Sequence, residues 1–178
     1  MRKALLVVDM QEEFFGENRD SEKFKYDQVL NEDIYIKEFV QRINKHIERT
    51  NRDGNRVIYI QQQFPNELFY RKVFNFAIKG TEGVKVLKDI TIVSNLFFTK
   101  IFGSAFTNRK LKTFLKGNGI EEIEIVGVDA TKCAFYTAKS SAKAGYKTYM
   151  IREAIDSRFP KEVEKCEKKL KSLGVEYI

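Results

Sequence analysis

The chain has 178 residues, 43% hydrophobic and 32% charged, with a net charge of +7. These values describe a globular protein able to bury a full core in one domain over residues 1–178, and they exclude a disordered chain. No apolar run approaches the ~20 residues of a membrane-spanning helix, and two cysteines without metal or disulfide spacing point to a reducing, cytoplasmic setting.

The positive charge raises nucleic acid as a partner. Its carriers are dispersed, and the densest cluster, from Lys161 to Lys171, also holds Glu162, Glu164 and Glu167. That pattern is a solvated helix face with internal pairing, so no specific nucleic-acid partner is expected. Met1–Arg2–Lys3 leads straight into a strand too short for the apolar region of a signal peptide, and no leader or membrane partner is expected.

In chain order, Ala4 to Val8 is an unbroken apolar run, as in a central strand covered on both faces. It ends at Asp9, a carboxylate where open α/β sheets place their sites, although an aspartate there also caps turns. Residues 16–30 are polar with scattered aromatics and read as a loop. From Asn31 to Arg52 an apolar stripe (Ile36, Phe39, Val40, Ile43, Ile47) predicts a helix stopped by Gly54. His46, the one histidine, reads as a surface residue of that helix. Arg56 to Gln63 is a second strand ending in three glutamines, amides that can bind a ligand but hold a divalent metal poorly. The aromatic stretch Phe64–Ile78 is either core or the wall of an apolar pocket.

Lys79 to Gly83 is a turn, and Asn95–Thr99 is a strand ending at Lys100. Gly103–Ser104–Ala105–Phe106 opens a helix running to about Lys116, which Gly117–Asn118–Gly119 ends. Ile123–Val126 is a strand followed by the turn Gly127–Thr131. Cys133 then begins a helix to Gly145 whose small residues (Ala134, Thr137, Ala138, Ser141, Ala142) allow close approach to a sheet. A thiol in a first helical turn meets free N–H groups and the positive dipole end, which favour thiolate; the alternative is a small buried hydrophobe. Tyr146–Ile151 is a strand, followed by a loop through Pro160. Lys161–Leu173 is a helix with an incidental Cys166, and Val175–Tyr177 is a last short strand. Alternating strands and helices give an α/β fold, a three-layer α/β/α Rossmann-like arrangement around a mainly parallel sheet of about six strands.

Asp9, Lys100 and Cys133 each follow a different strand, which puts an acid, a cation and a thiol at one edge of the sheet. The cation and the helix end would lower the thiol's pKa, and the carboxylate would carry a proton to a leaving group.

With these residues in view, the chain resembles the isochorismatase-like cysteine hydrolases, a family that includes nicotinamidases, carbamoylsarcosine amidohydrolases and ureidoacrylate amidohydrolases. The similar stretches are Leu5–Phe14 (D-x-Q-x-[DE]-F), Lys79–Gly83 (P-G-T-x-G), Lys100–Phe106 (K-x-x-x-S-A-F), and Gly127–Cys133 with Thr137–Ala138 and Gly145–Tyr146. Each string is weakly specific, and four in the right order are strong. The resemblance implies a catalytic triad of Asp9, Lys100 and Cys133. It also implies a cis peptide between Val128 and Asp129, an oxyanion hole from the backbone N–H groups of Asp129 and Cys133, and a pocket walled by Phe14. Gln61 and Gln63 are expected to shape the same pocket.

Metal-binding nicotinamidases carry an aspartate and histidines near the places of Gln61 and Gln63, so no metal and no other cofactor is expected here. Ala130, Ala134 and Glu153 depart from the family pattern and read as packing changes. Isochorismatases proper lack the cysteine, so Cys133 favours hydrolysis of a small amide or ureido C–N bond through a thioester. The alternative is a member without hydrolysis that binds a small ligand or serves in assembly. A homodimer or homotetramer is expected by resemblance alone.

Overall fold

The computed structural model describes residues 2–17, 19, 20, 22–24 and 32–178. Of the loop expected over residues 16–30, the described positions are turns, bends or irregular, and the others lie outside the described residues, as does the expected helix start at Asn31. Among the described residues no helix is long and apolar enough to cross a membrane.

Six strands form one sheet: β1 (Arg2–Val8), β2 (Arg56–Gln62), β3 (Phe97–Lys100), β4 (Ile120–Val128), β5 (Lys147–Asp156) and β6 (Glu176–Tyr177). Their order is β3-β2-β1-β4-β5-β6 and every pair is parallel. β1 is central, and its alternation sorts the core into two layers. Leu5 and Val7 join Val57, Tyr59 and the buried stripe Ile36, Phe39, Val40, Ile43 and Ile47 of α2 (Glu32–Arg52), together with Phe14 and Phe15 of the one-turn helix α1 (Glu12–Phe15). Ala4, Leu6 and Val8 face the other way. There they meet Leu111 and Leu115 of α4 (Arg109–Gly117), Ala134 and Ala138 of α5 (Cys133–Lys143) and Leu170 of α6 (Pro160–Lys171). Helices cover both faces, as the unbroken apolar run of β1 requires; α3 (Leu68–Val73) lies in the aromatic stretch and buries none of its residues.

Three local expectations are corrected. The helix expected from Gly103 to Lys116 is two, a 3-10 turn at Ala105–Thr107 and then α4. Ser104 Oγ accepts the Phe106 N–H, while Asn108 Oδ1 accepts those of Lys110 and Leu111. Two polar caps four residues apart, Ser104 and Asn108, start two helices rather than one. β5 runs on to Asp156, past the loop expected after Ile151, because the pairing shifts at a bulge and resumes with Gly127 opposite Ile155. His46 is not on the surface: it lies buried on the inner side of α2, with Nε2 2.7 Å from Glu153 Oε1. Helical spacing places it one turn after Ile43 and two turns after Phe39, near enough to the apolar stripe to be covered.

Gly127 marks where β4 lies closest to β1. Its φ is +103°, and a Cβ there would stand 2.1 Å from the Val8 carbonyl oxygen. Gly127→Ala is expected to cost about 3 kcal/mol, from strain and overlap against a backbone that cannot move aside. A urea midpoint unchanged from wild type would refute that packing.

Candidate active site

Three strand ends meet at the C-terminal edge of the sheet. β1 delivers Asp9, which follows it with φ +53°, out of the pleat, and whose N–H donates to the Ile60 carbonyl. β3 delivers Lys100, on the same face as Phe98 and paired in register with Gln62 of β2. β4 leads through the turn to Cys133 at the first position of α5. That helix packs closely because Ala134, Thr137, Ala138 and Ser141 are all fully buried. The Val128–Asp129 peptide is cis, as the resemblance implied.

The side chains converge as follows. Lys100 Nζ lies 2.9 Å from Asp9 Oδ2, 3.1 Å from Cys133 Sγ and 2.6 Å from Gln62 Oε1. Asp9 is 3% exposed, and its second oxygen, Oδ1, has no hydrogen-bond partner among the described residues. Burial acts to lower the Lys100 pKa, but the Asp9 carboxylate and the Cys133 sulfur outweigh it and hold the ammonium above its ordinary value. For Cys133 burial is the largest influence and the Asp9 charge adds to it. Lys100 opposes both, and the balance pushes the thiol up to about 12. The direction of that balance favours the proton on the sulfur. The cation lowers the thiol's pKa as expected, but desolvation in a packed site and the Asp9 charge push it up by more than Lys100 returns.

The turn before Cys133 is pinned through Asp129. Its Oδ1 accepts the Thr131 N–H at 2.8 Å, the Thr131 hydroxyl at 2.8 Å and the Ser157 hydroxyl at 2.6 Å, while Oδ2 accepts the Arg158 N–H at 3.2 Å. The backbone N–H groups of Ala130, Lys132 and Ala134 are all used. Those of Asp129 and Cys133 donate to no acceptor among the described residues. The carboxylate of Asp129 thus holds the loop, while its N–H, like that of Cys133, has no acceptor among the described residues.

A cavity of about 320 Å³ opens over this group, lined by Asp9, Gln62, Val128, Asp129, Lys132, Cys133 and Arg158, and walled by Phe14, Phe24, Phe64, Phe74, Phe76 and Phe102. Phe64 stacks on Phe74 with centroids 4.1 Å apart and meets Phe76 edge-on at 5.4 Å. The aromatic stretch is both things the sequence allowed, since Phe64 also packs with Ala77, Ile78 and Val84 in a small core of its own. A larger groove of about 680 Å³, with Glu12, Glu82 and Lys85 among its lining, touches none of Asp9, Lys100 and Cys133.

Phe14 lines the cavity as expected, but Gln61 and Gln63 do not. The pleat turns Gln61 to the opposite face, where its amide donates to the Val84 carbonyl at 2.7 Å, and the glutamine that enters the site is Gln62. Three glutamines in a row gave no sign of which one faces inward. Phe24 and Arg158 had no sequence signal, because each lies far along the chain from the strand ends it meets. The places where zinc-binding relatives carry acid and imidazole do not fit that metal here. Gln61 turns an N–H donor to its neighbour, His46 is engaged with Glu153, and no three His, Cys, Asp or Glu side chains cluster among the described residues.

Known proteins similar to this chain include members of one family. Residues 3–178 match the Isochorismatase domain family model. The isochorismatase family protein YrdC of Bacillus subtilis is 32% identical over 155 residues, 86% of this chain and 73% of that protein. N-carbamoylsarcosine amidase from Thermoplasma acidophilum superposes with a TM-score of 0.80 at 23% identity, covering 99% of this chain and 95% of its own. Nicotinamidase from Bacillus subtilis gives 0.79 at 19% identity, covering 99% of each chain. A family match over nearly every residue, on a sheet whose strand ends gather an acid, an ammonium and a thiol, makes this chain a member of the isochorismatase family.

Proposed function

We propose that the protein is a cysteine-dependent amidohydrolase that cleaves the C–N bond of a small amide or ureido compound through a thioester. The observation that carries this reading is the geometry around Lys100: one ammonium touches both the Asp9 carboxylate and the Cys133 sulfur, and the other carboxylate oxygen is buried without a partner among the described residues. In this reading a substrate carbonyl sits with its oxygen toward the N–H groups of Asp129 and Cys133, which stabilise the charge that grows there. Sulfur attacks the carbonyl carbon as the thiol proton passes to Asp9 Oδ1. Asp9 returns that proton to the departing nitrogen, the C–N bond breaks, and ammonia or an amine leaves. Water then adds to the thioester, giving its proton to Asp9, and the S–C bond breaks as sulfur takes the proton back. Lys100 stays charged throughout and balances whichever of sulfur and carboxylate holds the negative charge.

The cavity supports a compact substrate with an apolar or planar body and an anionic end. Six phenylalanines supply the walls. The Arg158 guanidinium lies 5.0 Å over Phe24 and 5.4 Å over Phe159, with Nη1 donating to the Lys23 carbonyl at 2.9 Å and Nε 3.8 Å from Asp129 Oδ2. Nη2 has no partner among the described residues and suits a substrate carboxylate. Lys132, the neighbouring cation, is already engaged with Glu162 at 3.2 Å.

Ammonia release across matched amides with and without a carboxylate tests both parts. Turnover is expected for the acidic set. Arg158→Gln should raise KM for it by about 10–100-fold, with a smaller effect on neutral amides. Tight binding of such compounds with no hydrolysis at any pH would refute the amidase reading.

A further inference from the structure

Lys100 has three N–H donors, and three acceptors surround it. Two, Asp9 and Cys133, belong to the proposed chemistry. The third, Gln62 Oε1, makes the shortest of the three contacts, at 2.6 Å. The other end of that amide donates from Nε2 to the Ile101 carbonyl. An ammonium only donates and a carbonyl only accepts, so both ends of the Gln62 amide are assigned without ambiguity. The main chain of Gln62 is held separately. Its N–H donates to Gln11 Oε1 at 2.7 Å, and its carbonyl accepts from Gln11 Nε2 at 3.0 Å. Gln62 is thus a buried strut, 5% exposed, clamped at both ends on a backbone fixed by other means.

We propose that Gln62 is a positioning residue for Cys133, acting through Lys100: its amide oxygen takes the third ammonium N–H and so aims the other two at the carboxylate and the sulfur. The inference rests on the cysteine chemistry proposed above. Without that acceptor, the flexible lysine stem can turn the ammonium toward Asp9 alone, and the sulfur loses the cation that opposes its burial. A neutral acceptor is what the site needs. A carboxylate at this position would hold the ammonium as well, but would place a second negative charge beside the sulfur and disfavour its ionisation.

The test uses the full chain and iodoacetamide, with the rate of labelling at Cys133 followed by intact mass and peptide mapping between pH 7 and 9. In that reaction the S–C bond forms, the C–I bond breaks, iodide leaves, and the thiol proton passes to Asp9. Gln62→Met keeps similar bulk without either polar end. Gln62→His offers one acceptor nitrogen and one N–H donor on opposite sides of the ring and can serve both partners. Thermal melting confirms that each variant folds, as the Gln11 clamp predicts. Gln62→Met is expected to label about tenfold or more slowly, Gln62→His to recover most of the wild-type rate, and Gln62→Glu to be slower than wild type. For any amide that is turned over, the Met variant should lose kcat with little change in KM.

Labelling of Gln62→Met at the wild-type rate would overturn the inference. So would a folded Gln62→His as slow as the Met variant, since the contribution would then be packing. If wild-type Cys133 labels no faster than Cys166 and Asp9→Asn does not slow it, the cysteine reading itself fails, and the inference with it.

Discussion

Cys133→Ser is expected to lower turnover by about 10⁴-fold or more while the protein still binds substrate. The serine hydroxyl is a far weaker acid than a thiol that is itself pushed up to about 12, so Asp9 cannot draw its proton at neutral pH. The same cavity remains, because one oxygen replaces one sulfur in its lining. Wild-type protein mixed with a slow substrate should gain the mass of an acyl group on Cys133, and the serine variant should gain none. A serine variant that keeps more than a few per cent of wild-type turnover would show that sulfur is not the nucleophile.

The largest effect on stability is expected at Lys100. Its side chain is fully buried and its charge is matched by an Asp9 carboxylate 2.9 Å away. Lys100→Met leaves that carboxylate buried with neither oxygen partnered, which should cost about 3–5 kcal/mol and remove activity. Adding Asp9→Asn removes the uncompensated charge and should return much of the lost stability without any activity. Urea unfolding of the two single variants and the double variant forms a cycle. Additive losses would mean that the two charges are not coupled in the folded protein, against the geometry.

Much of the site was legible before any coordinates because it depends on local rules. Asp9 and Lys100 end apolar strands, Cys133 begins a helix of small residues, and a parallel sheet brings such positions to one edge whatever the loops do. The small residues of α5 are a packing code that can be read from their spacing. What failed to read had non-local causes. Which of Gln61, Gln62 and Gln63 faces the ammonium depends on the pairing of β2 with β3, and that register is invisible in β2 alone. His46 is covered because the apolar stripe of α2 is wider than its five aliphatic and aromatic members suggested.

The sequence by itself determined the alternation of strands and helices, the parallel sheet, and the acid, cation and thiol at its edge. Periodicity and strand ends are properties of neighbouring residues. Tertiary structure alone decided the rest: the aromatic cavity with Arg158 at its end, the choice of Gln62, and the upward push on the Cys133 thiol. Phe24 and Arg158 meet across the fold, and the charge on a buried sulfur is set by how much water the whole packing removes and which charges it leaves nearby.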